Sequence, residues 1–219
     1  MAFPAVVARN SGSNAYGTSQ VINLPPGIVS GDLLIICAAF YPATPTLTWP
    51  AGWTVIFNTA NTERLEIAYR HADGTEGTSI TVTASASVYG GYTDYLVSGA
   101  STTTAPEVSA AATGNSANPA PAPLTPTWGA ADTLWLAVEG SGFNTVTTYP
   151  AGFVNGLVAG INGDAATGSA ELQANTATES PGTFTIGGLG AWVAATVGIQ
   201  PAGPPPVNWH PWVTSSGWS

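Results

Sequence analysis

The chain has 219 residues and a formal net charge of −9, and only 7% of its residues are charged. The chain contains twelve carboxylate side chains and three arginines, and it contains no lysine. Nucleic-acid backbones and anionic membranes are bound through clustered cations, so this composition excludes both classes of partner. The N-terminus lacks the basic start and the long apolar stretch of a signal peptide, so we expect synthesis in the cytoplasm.

Short segments rich in Val, Ile, Thr and aromatic residues, bounded by Gly, Pro, Asn and Asp, predict strands throughout the chain. The 26 glycines and 18 prolines leave few windows long enough for a helix. In chain order, the predicted strands are Gln20–Leu24, Asp32–Phe40, Trp53–Asn58, Leu65–His71, Ser79–Ala84, Tyr92–Ser98, Thr133–Glu139, Gly152–Ala159, Ser169–Ala174, Gly182–Ile186 and Ala191–Gln200. This pattern predicts an all-β fold, a two-sheet antiparallel β-sandwich of jelly-roll or immunoglobulin-like type.

The segment Leu33–Phe40 is the longest apolar run, at eight residues, against the roughly twenty that span a bilayer. It has no polar position on either face, which is typical of a strand covered on both sides. Cys37 lies within it and is the only cysteine, so no internal disulfide is possible. We predict that Cys37 is a small core side chain without a catalytic role.

The two halves of the chain repeat the same landmarks about one hundred positions apart. The paired segments are Gly31–Leu34 with Ala131–Leu134, Trp49–Trp53 with Tyr149–Phe153, Gly77–Val82 with Gly182–Gly187, and Tyr95–Ala100 with Ala195–Gln200. Each Pro-Ala-Gly predicts a tight turn, because proline fixes φ and glycine accepts a positive φ. We predict internal repeats at about 5–100 and 105–203 within one β-sandwich over residues 1–203. Two tandem sandwiches are the alternative.

After Gly203 the composition changes. Pro204–Pro206 predicts an extended polyproline segment, and it precedes three of the eight tryptophans, Trp209, Trp212 and Trp218. Tryptophan is a strong anchor at protein interfaces. We therefore predict that residues 204–219 form an anchoring tail that docks on a neighbouring subunit, with Phe3 contributing to the same interface. The alternative is a tail that folds back on its own domain.

Reactive side chains form no recognisable catalytic pattern. His71 enters a turn and His210 lies in the tail, so neither has a nucleophile or an orienting acid nearby in sequence. The loops 73–76 and 162–164 place oxygen ligands beside glycine but lack the spacing of a calcium-binding loop. We predict no catalytic residue, no metal site and no cofactor. A glycoside hydrolase would need two paired carboxylates, for which the candidates are Glu63, Glu66, Asp94 and Glu139.

Sugar binding uses exposed aromatic rings beside polar side chains. Tyr89, Tyr92 and Tyr95 flank Asp94 within one predicted strand region. These four residues are therefore our candidates for a glycan-binding platform.

The motifs of the first half occur in a familiar order. They are Pro25–Gly27, Gly31–Ile35, Trp49–Thr54, Ala68–Arg70, Glu76, Ile80–Thr83 and Ser98–Ala100. This succession resembles β-rich virion proteins of tailed bacteriophages, which carry a GDLL strand entry and a PxGWT turn followed by a weaker second copy. The resemblance covers about residues 5 to 202, and the second copy departs from it where Ala131 and Thr133 flank Asp132. It implies a β-sandwich in a virion and brings no catalytic residues.

Composition, repeats, tail and resemblance together give our leading hypothesis. The chain is a non-enzymatic phage structural protein, a decoration or cement protein located in the virion. We expect it to bind the major capsid protein or other virion subunits and to form a homo-oligomer, with a trimer favoured. The alternative is a carbohydrate-binding or host-adhesion module on a tail or head fibre.

Overall fold

The computed structural model describes residues 2–143 and 145–203, and within these ranges it contains fourteen strands and no helix. The strands are β1 (Ala5–Asn23), β2 (Leu33–Tyr41), β3 (Leu47–Thr48), β4 (Thr54–Ala60), β5 (Arg64–His71), β6 (Ser79–Ser98), β7 (Glu107–Val108), β8 (Ala112–Ser116), β9 (Ala131–Ser141), β10 (Val146–Thr148), β11 (Val154–Ile161), β12 (Ala165–Thr176), β13 (Thr185–Ile186) and β14 (Gly190–Ile199). They form two antiparallel sheets of six strands and one small sheet of two. The predicted two-sheet antiparallel β-sandwich is confirmed.

The two large sheets share one strand order. Sheet 1 runs β1-β6-β2-β5-β4, with β3 beside β6. Sheet 2 runs β7-β14-β9-β12-β11, with β8 also beside β14. The first half of the sequence therefore supplies sheet 1 and the second half supplies sheet 2.

The paired Pro-Ala-Gly segments form equivalent turns before β4 and β11. The backbone N–H of Trp53 donates to the carbonyl of Pro50 at 3.3 Å, and Phe153 donates to Pro150 at 3.1 Å. The intervening glycines have φ values of 87° and 85°. Only glycine accepts this backbone geometry easily, which explains why the motif is repeated.

The main apolar core lies between the two sheets and takes side chains from both halves. Its buried members from sheet 1 include Leu33, Ile35, Cys37, Leu65, Ile67 and Val97, and those from sheet 2 include Leu134, Leu136, Val138, Val193, Val197 and Ile199. The Cys37 thiol is fully buried there, and burial raises its pKa. The thiol therefore stays protonated and acts as a small apolar side chain.

Each sheet also has a covered outer face. On sheet 1, Leu34, Ile36 and Phe40 pack with Ile22 and Val82, which come from the far ends of β1 and β6. These strand ends bend over the sheet, because the register jumps where Gly17 pairs with Val88 and Ser19 with Thr83. On sheet 2, Trp135, Ala137 and Ala170 pack beneath Phe153 and Phe184. Both faces of the central strands are therefore dry.

Several strands are longer than the sequence predicted, and the difference is greatest for β1 and β6. β1 begins at Ala5 and not at Gln20, and β6 is one strand where two were predicted. The first part of β1 is rich in Asn, Ser and Gly, which have low strand propensity, and its pairing with the distant β6 overrides this preference. Among the described residues, no helix has the length and apolarity required to cross a bilayer.

Candidate functional site

A row of polar side chains on β12 runs from the interior of the sandwich to an exposed position at its edge. Every second residue of β12 from 167 to 173 is polar, and each of these side chains makes a hydrogen bond to sheet 1 or to the segment that precedes it. The four residues are Thr167, Ser169, Glu171 and Gln173. We refer to these four residues as the polar seam. Gln173 donates to the carbonyl of Pro4 at 2.8 Å, so the seam extends to the entry of β1.

Thr167 bridges two strands of sheet 1 from the opposite sheet. Its hydroxyl accepts a hydrogen bond from the N–H of Ala39 on β2 at 2.8 Å. The same hydroxyl donates to the carbonyl of Gly91 on β6 at 2.7 Å. All three residues are buried, so the hydroxyl satisfies backbone groups that water cannot reach.

Ser169 links two more side chains of β6. Its hydroxyl donates to Oγ1 of Thr93 at 2.7 Å, and it lies 2.6 Å from the hydroxyl of Tyr95. Burial raises the pKa of Tyr95, which keeps its hydroxyl protonated. Tyr95 can therefore donate to Ser169, which in turn donates to Thr93.

Glu171 forms the charged part of the seam. Arg9 of β1 donates to its Oε1 at 2.6 Å, and the side-chain amide of Asn155 on β11 also donates to it. Asn155 has a φ of 53°, in the left-handed region that non-glycine residues rarely adopt. The three residues line a cleft of about 290 Å³ at one edge of the sandwich. Among the described residues, Nε of Arg9 and Oε2 of Glu171 have no hydrogen-bond partner.

The sequence reasoning missed this cluster. Its partners lie 162 and 16 residues apart, so no local motif connects them. One signal was available in the composition, because a chain with only three arginines and twelve carboxylates is expected to pair each arginine.

The predicted glycan platform of Tyr89, Tyr92, Asp94 and Tyr95 is not present as an exposed surface. Successive residues of β6 point to opposite faces, and both faces are covered. Tyr92 packs on the outer face and accepts a hydrogen bond from the N–H of Asn23, whereas Tyr95 lies between the sheets. Asp94 is fully buried. The prediction was wrong for these three residues, since it treated one face of β6 as solvated.

Tyr89 alone among the four remains partly accessible. Its ring centroid lies 5.0 Å from that of Tyr16, whose side chain is 58% exposed. Tyr41 of β2 is the direct cross-strand partner of Tyr89 and is also partly exposed. An accessible aromatic surface of sheet 1 is thus at Tyr16 and Tyr89, near the middle of β6, where the pairing of β6 with β1 changes register.

The four candidate carboxylates are all buried, with exposed fractions from 0% for Asp94 and Glu139 to 6% for Glu63. Burial raises the pKa of Glu139 and of Asp94 to about 8, and that of Glu63 to about 7. Glu63 also raises the pKa of Glu139 by charge repulsion. Burial also raises the pKa of Glu66, and the hydrogen bonds that it accepts from Trp49 and Arg64 oppose this rise. None of the four faces an open cleft in the described part of the chain, so the geometry of a glycosidase is not formed by them.

The loop after β5 uses its carboxylates internally. Arg70 donates to Asp73 at 2.8 Å and to Glu76 at 3.0 Å, and Glu76 also accepts the N–H groups of Asp73 and Gly74. His71 beside it packs edge-on against Tyr69, and burial lowers its pKa. In residues 2–143 and 145–203, no three His, Cys, Asp or Glu side chains lie close enough to share a metal ion.

Of the predicted partner-binding residues, only Phe3 lies among the described residues. Phe3 is half-buried before β1, where its carbonyl lies near Gly99. Trp209, Trp212, Trp218 and His210 lie outside the described residues. The chain reaches them from Gly203, which lines a cleft of about 320 Å³ together with Ser101, Thr103, Trp128 and Gln200. We refer to this as the exit cleft.

Comparisons with protein-family models, with curated proteins and with solved structures found no match to this chain.

Proposed function

We propose that the chain is a non-enzymatic structural protein of a tailed-phage virion, which decorates or cements the outer capsid as a homo-oligomer. The main supporting observation is the placement of exposed apolar side chains on strands at the sheet edges. Among the described residues, five of the seven exposed large apolar side chains lie on β1, β4 or β11, namely Val7, Tyr16, Val21, Val55 and Val154.

Sheet edges favour assembly for a physical reason. An edge strand has backbone N–H and C=O groups that lack a neighbouring strand on one side. Monomeric proteins often protect such edges with lysine or proline, and β1 contains neither over its nineteen residues. Its one arginine, Arg9, is paired with Glu171 across the sandwich. Docking on this edge therefore requires little desolvation of charge.

The location of the protein is the direct test. We expect mass spectrometry to detect the chain in purified particles of the phage that encodes it, and cryo-electron microscopy to place it on the outer capsid. Particles that lack the chain would contradict the proposal. Deletion of residues 204–219 is expected to prevent attachment to capsids while circular dichroism still shows a folded β-domain.

The matched tail variants separate tryptophan anchoring from tail length. Replacement of Trp209, Trp212 and Trp218 by alanine is expected to reproduce the deletion. Replacement of Thr214, Ser215 and Ser216 by alanine keeps the length and should leave attachment unchanged. Equal capsid occupancy for all of these proteins would show that the tail does not attach the protein to the capsid.

A second candidate function, glycan binding on a head or tail fibre, is favoured by the Tyr16–Tyr89 pair. Exposed aromatic rings stack on the apolar faces of sugars, and Tyr16 is the most accessible aromatic side chain of this surface. A glycan array with the wild-type protein and Tyr16→Ala tests it. Loss of a specific signal in the variant supports glycan binding, whereas an array without any hit counts against it.

A further inference from the structure

The exit cleft lies where the described chain ends. The N–H of Ser101 donates to the carbonyl of Gln200 at 2.9 Å, and Ala202 donates to Gly99 at 2.8 Å. Ala100 and Pro201 form an antiparallel bridge between these two bonds. The backbone is therefore hydrogen-bonded up to Ala202, and Gly203, the last described residue, lines the cleft.

The cleft and the tail match in chemistry. None of the residues that line the cleft carries a charge, and residues 204–219 contain no Asp, Glu, Lys or Arg. The half-buried ring of Trp128 forms part of the wall, and its indole N–H already donates to Thr133 at 3.2 Å. A second indole can stack on Trp128 beside the hydroxyls of Ser101 and Thr103 without desolvating any ion.

The sequence at the start of the tail favours a cleft on another subunit. Pro204–Pro206 are expected to extend for roughly 9 Å before the first tryptophan can turn back. The whole segment of sixteen residues can reach about 50 Å. A domain of this size has a radius of gyration of roughly 17 Å, so the tail is long enough to cross to a neighbouring subunit.

We propose that residues 207–219 of one subunit bind in the exit cleft of the next subunit and place a tryptophan against Trp128. This inference rests on the proposed homo-oligomeric assembly and names its contact. The contact is heterologous, because the tail of each subunit meets the cleft of another. Such contacts close into a ring when the rotation between subunits permits it, as in a trimer.

Disulfide trapping with the full-length chain tests the contact directly. Two proteins are prepared, Thr103→Cys with an exposed thiol at the cleft and Val213→Cys beside Trp212; the native Cys37 is buried and does not compete. We expect their mixture to form a cross-linked dimer joined through positions 103 and 213. The double variant is expected to form cross-linked species larger than a dimer. A double variant that cross-links only within one chain would show docking on its own domain and overturn the proposal. Absence of any cross-link would overturn it as well.

Substitutions in the cleft provide an independent measurement. Trp128→Ala and Thr103→Lys are each expected to raise the concentration at which the oligomer dissociates by tenfold or more, because an interface tryptophan contact is lost or a charge is buried. Leu189→Ala is the control, since this residue is 81% exposed. It lies just before the first residue of β14, whereas the exit cleft lies beyond the last residue of that strand. Circular dichroism verifies that each variant is folded. Unchanged dissociation in both cleft variants would exclude the exit cleft as the acceptor.

Failure of this contact and failure of the proposed function are distinguishable. Particles that contain the chain together with negative cross-linking would leave the virion role intact and remove the tail contact. Cross-linked oligomers together with particles that lack the chain would support the tail contact and contradict the virion role.

Discussion

Tyr92 and Trp192 lie one hundred positions apart in the sequence, and each ring lies across a glycine of the neighbouring strand. Tyr92 on β6 is the cross-strand partner of Gly12 on β1, and Trp192 on β14 is the partner of Gly114 on β8. A Cβ at either glycine would lie 2.7 Å from a ring carbon, Cζ of Tyr92 or Cε2 of Trp192. The same aromatic–glycine pair therefore joins the flanking strand to its sheet in each half.

Substitution of Gly12 by alanine tests this pairing. We expect Gly12→Ala to lower the free energy of unfolding by about 1–3 kcal/mol, because the new methyl group displaces the Tyr92 ring from a well-packed position. Gly17→Ala on the same strand is the matched control, since its Cβ would meet no atom closer than 3.8 Å. Urea denaturation gives both values. Equal effects of the two substitutions would show that strand propensity, and not the ring, determines the cost.

The buried carboxylates predict that the protein is more stable in acid than at neutral pH. The folded-state pKa values of Glu139 and Asp94 are raised to about 8, above their ordinary unfolded values. Below the unfolded pKa both states are protonated and stability is greatest. As pH rises from there to about 8, the unfolded state ionises first, so each group lowers the free energy of unfolding over this range.

The measurement is the urea midpoint between pH 4 and pH 9, for the wild type and for Glu139→Gln. Glutamine cannot ionise, so we expect a shallower decline in the variant and a higher midpoint than the wild type at pH 8. Glu76→Gln serves as the control, because Glu76 is held by Arg70 and two backbone N–H groups. A wild-type midpoint that increases steadily from pH 5 to pH 8 would contradict this prediction.

Removal of the Thr167 hydroxyl should destabilise the sandwich. Thr167→Val preserves the shape but leaves the N–H of Ala39 and the carbonyl of Gly91 without this partner. We expect a loss of about 1–3 kcal/mol in unfolding free energy. Thr81→Val, at an exposed position of β6, is expected to change it by less than about 0.5 kcal/mol. Hydrogen exchange at Ala39 should accelerate in Thr167→Val only.

The ion pair of Arg9 with Glu171 should show coupling in a double-mutant cycle. Arg9→Ala leaves a mostly buried carboxylate unpaired, and we expect it to cost about 1.5–3 kcal/mol, allowing for the partial exposure of Arg9. Glu171→Leu alone leaves the guanidinium without its carboxylate. The double variant should be more stable than the sum of the single effects predicts. Additive effects would mean that the two charges do not interact measurably.

Local chemistry allowed part of this fold to be predicted. The Pro-Ala-Gly turns and the apolar strand Leu33–Phe40 depend on residues adjacent in sequence, and both occur where the sequence indicated them. The covering of the outer faces depends on distant strand ends. Ser79–Ala84 alternates between exposed and more buried positions, whereas nothing local indicated that the continuation of β6 through Tyr92 and Asp94 is dry on both faces.

The site was less predictable for the same reason. Arg9, Asn155 and Glu171 come from three strands in two halves of the chain, and only the stacking of one sheet on the other brings them together. Among the candidates drawn from one stretch, the pleat of β6 places Tyr95 on the face opposite to Tyr92 and Asp94, and both faces are covered. Sequence proximity suggested a common surface that the strand geometry does not permit.

The polar seam has a mechanical consequence for the sandwich. Apolar contacts are not directional, so two layers held by them alone could slide past each other at small cost. The hydroxyls of Thr167 and Ser169 bind fixed atoms of β2 and β6, and these short bonds would break under a shift of a single ångström or two. These hydrogen bonds therefore resist a sliding of one sheet past the other.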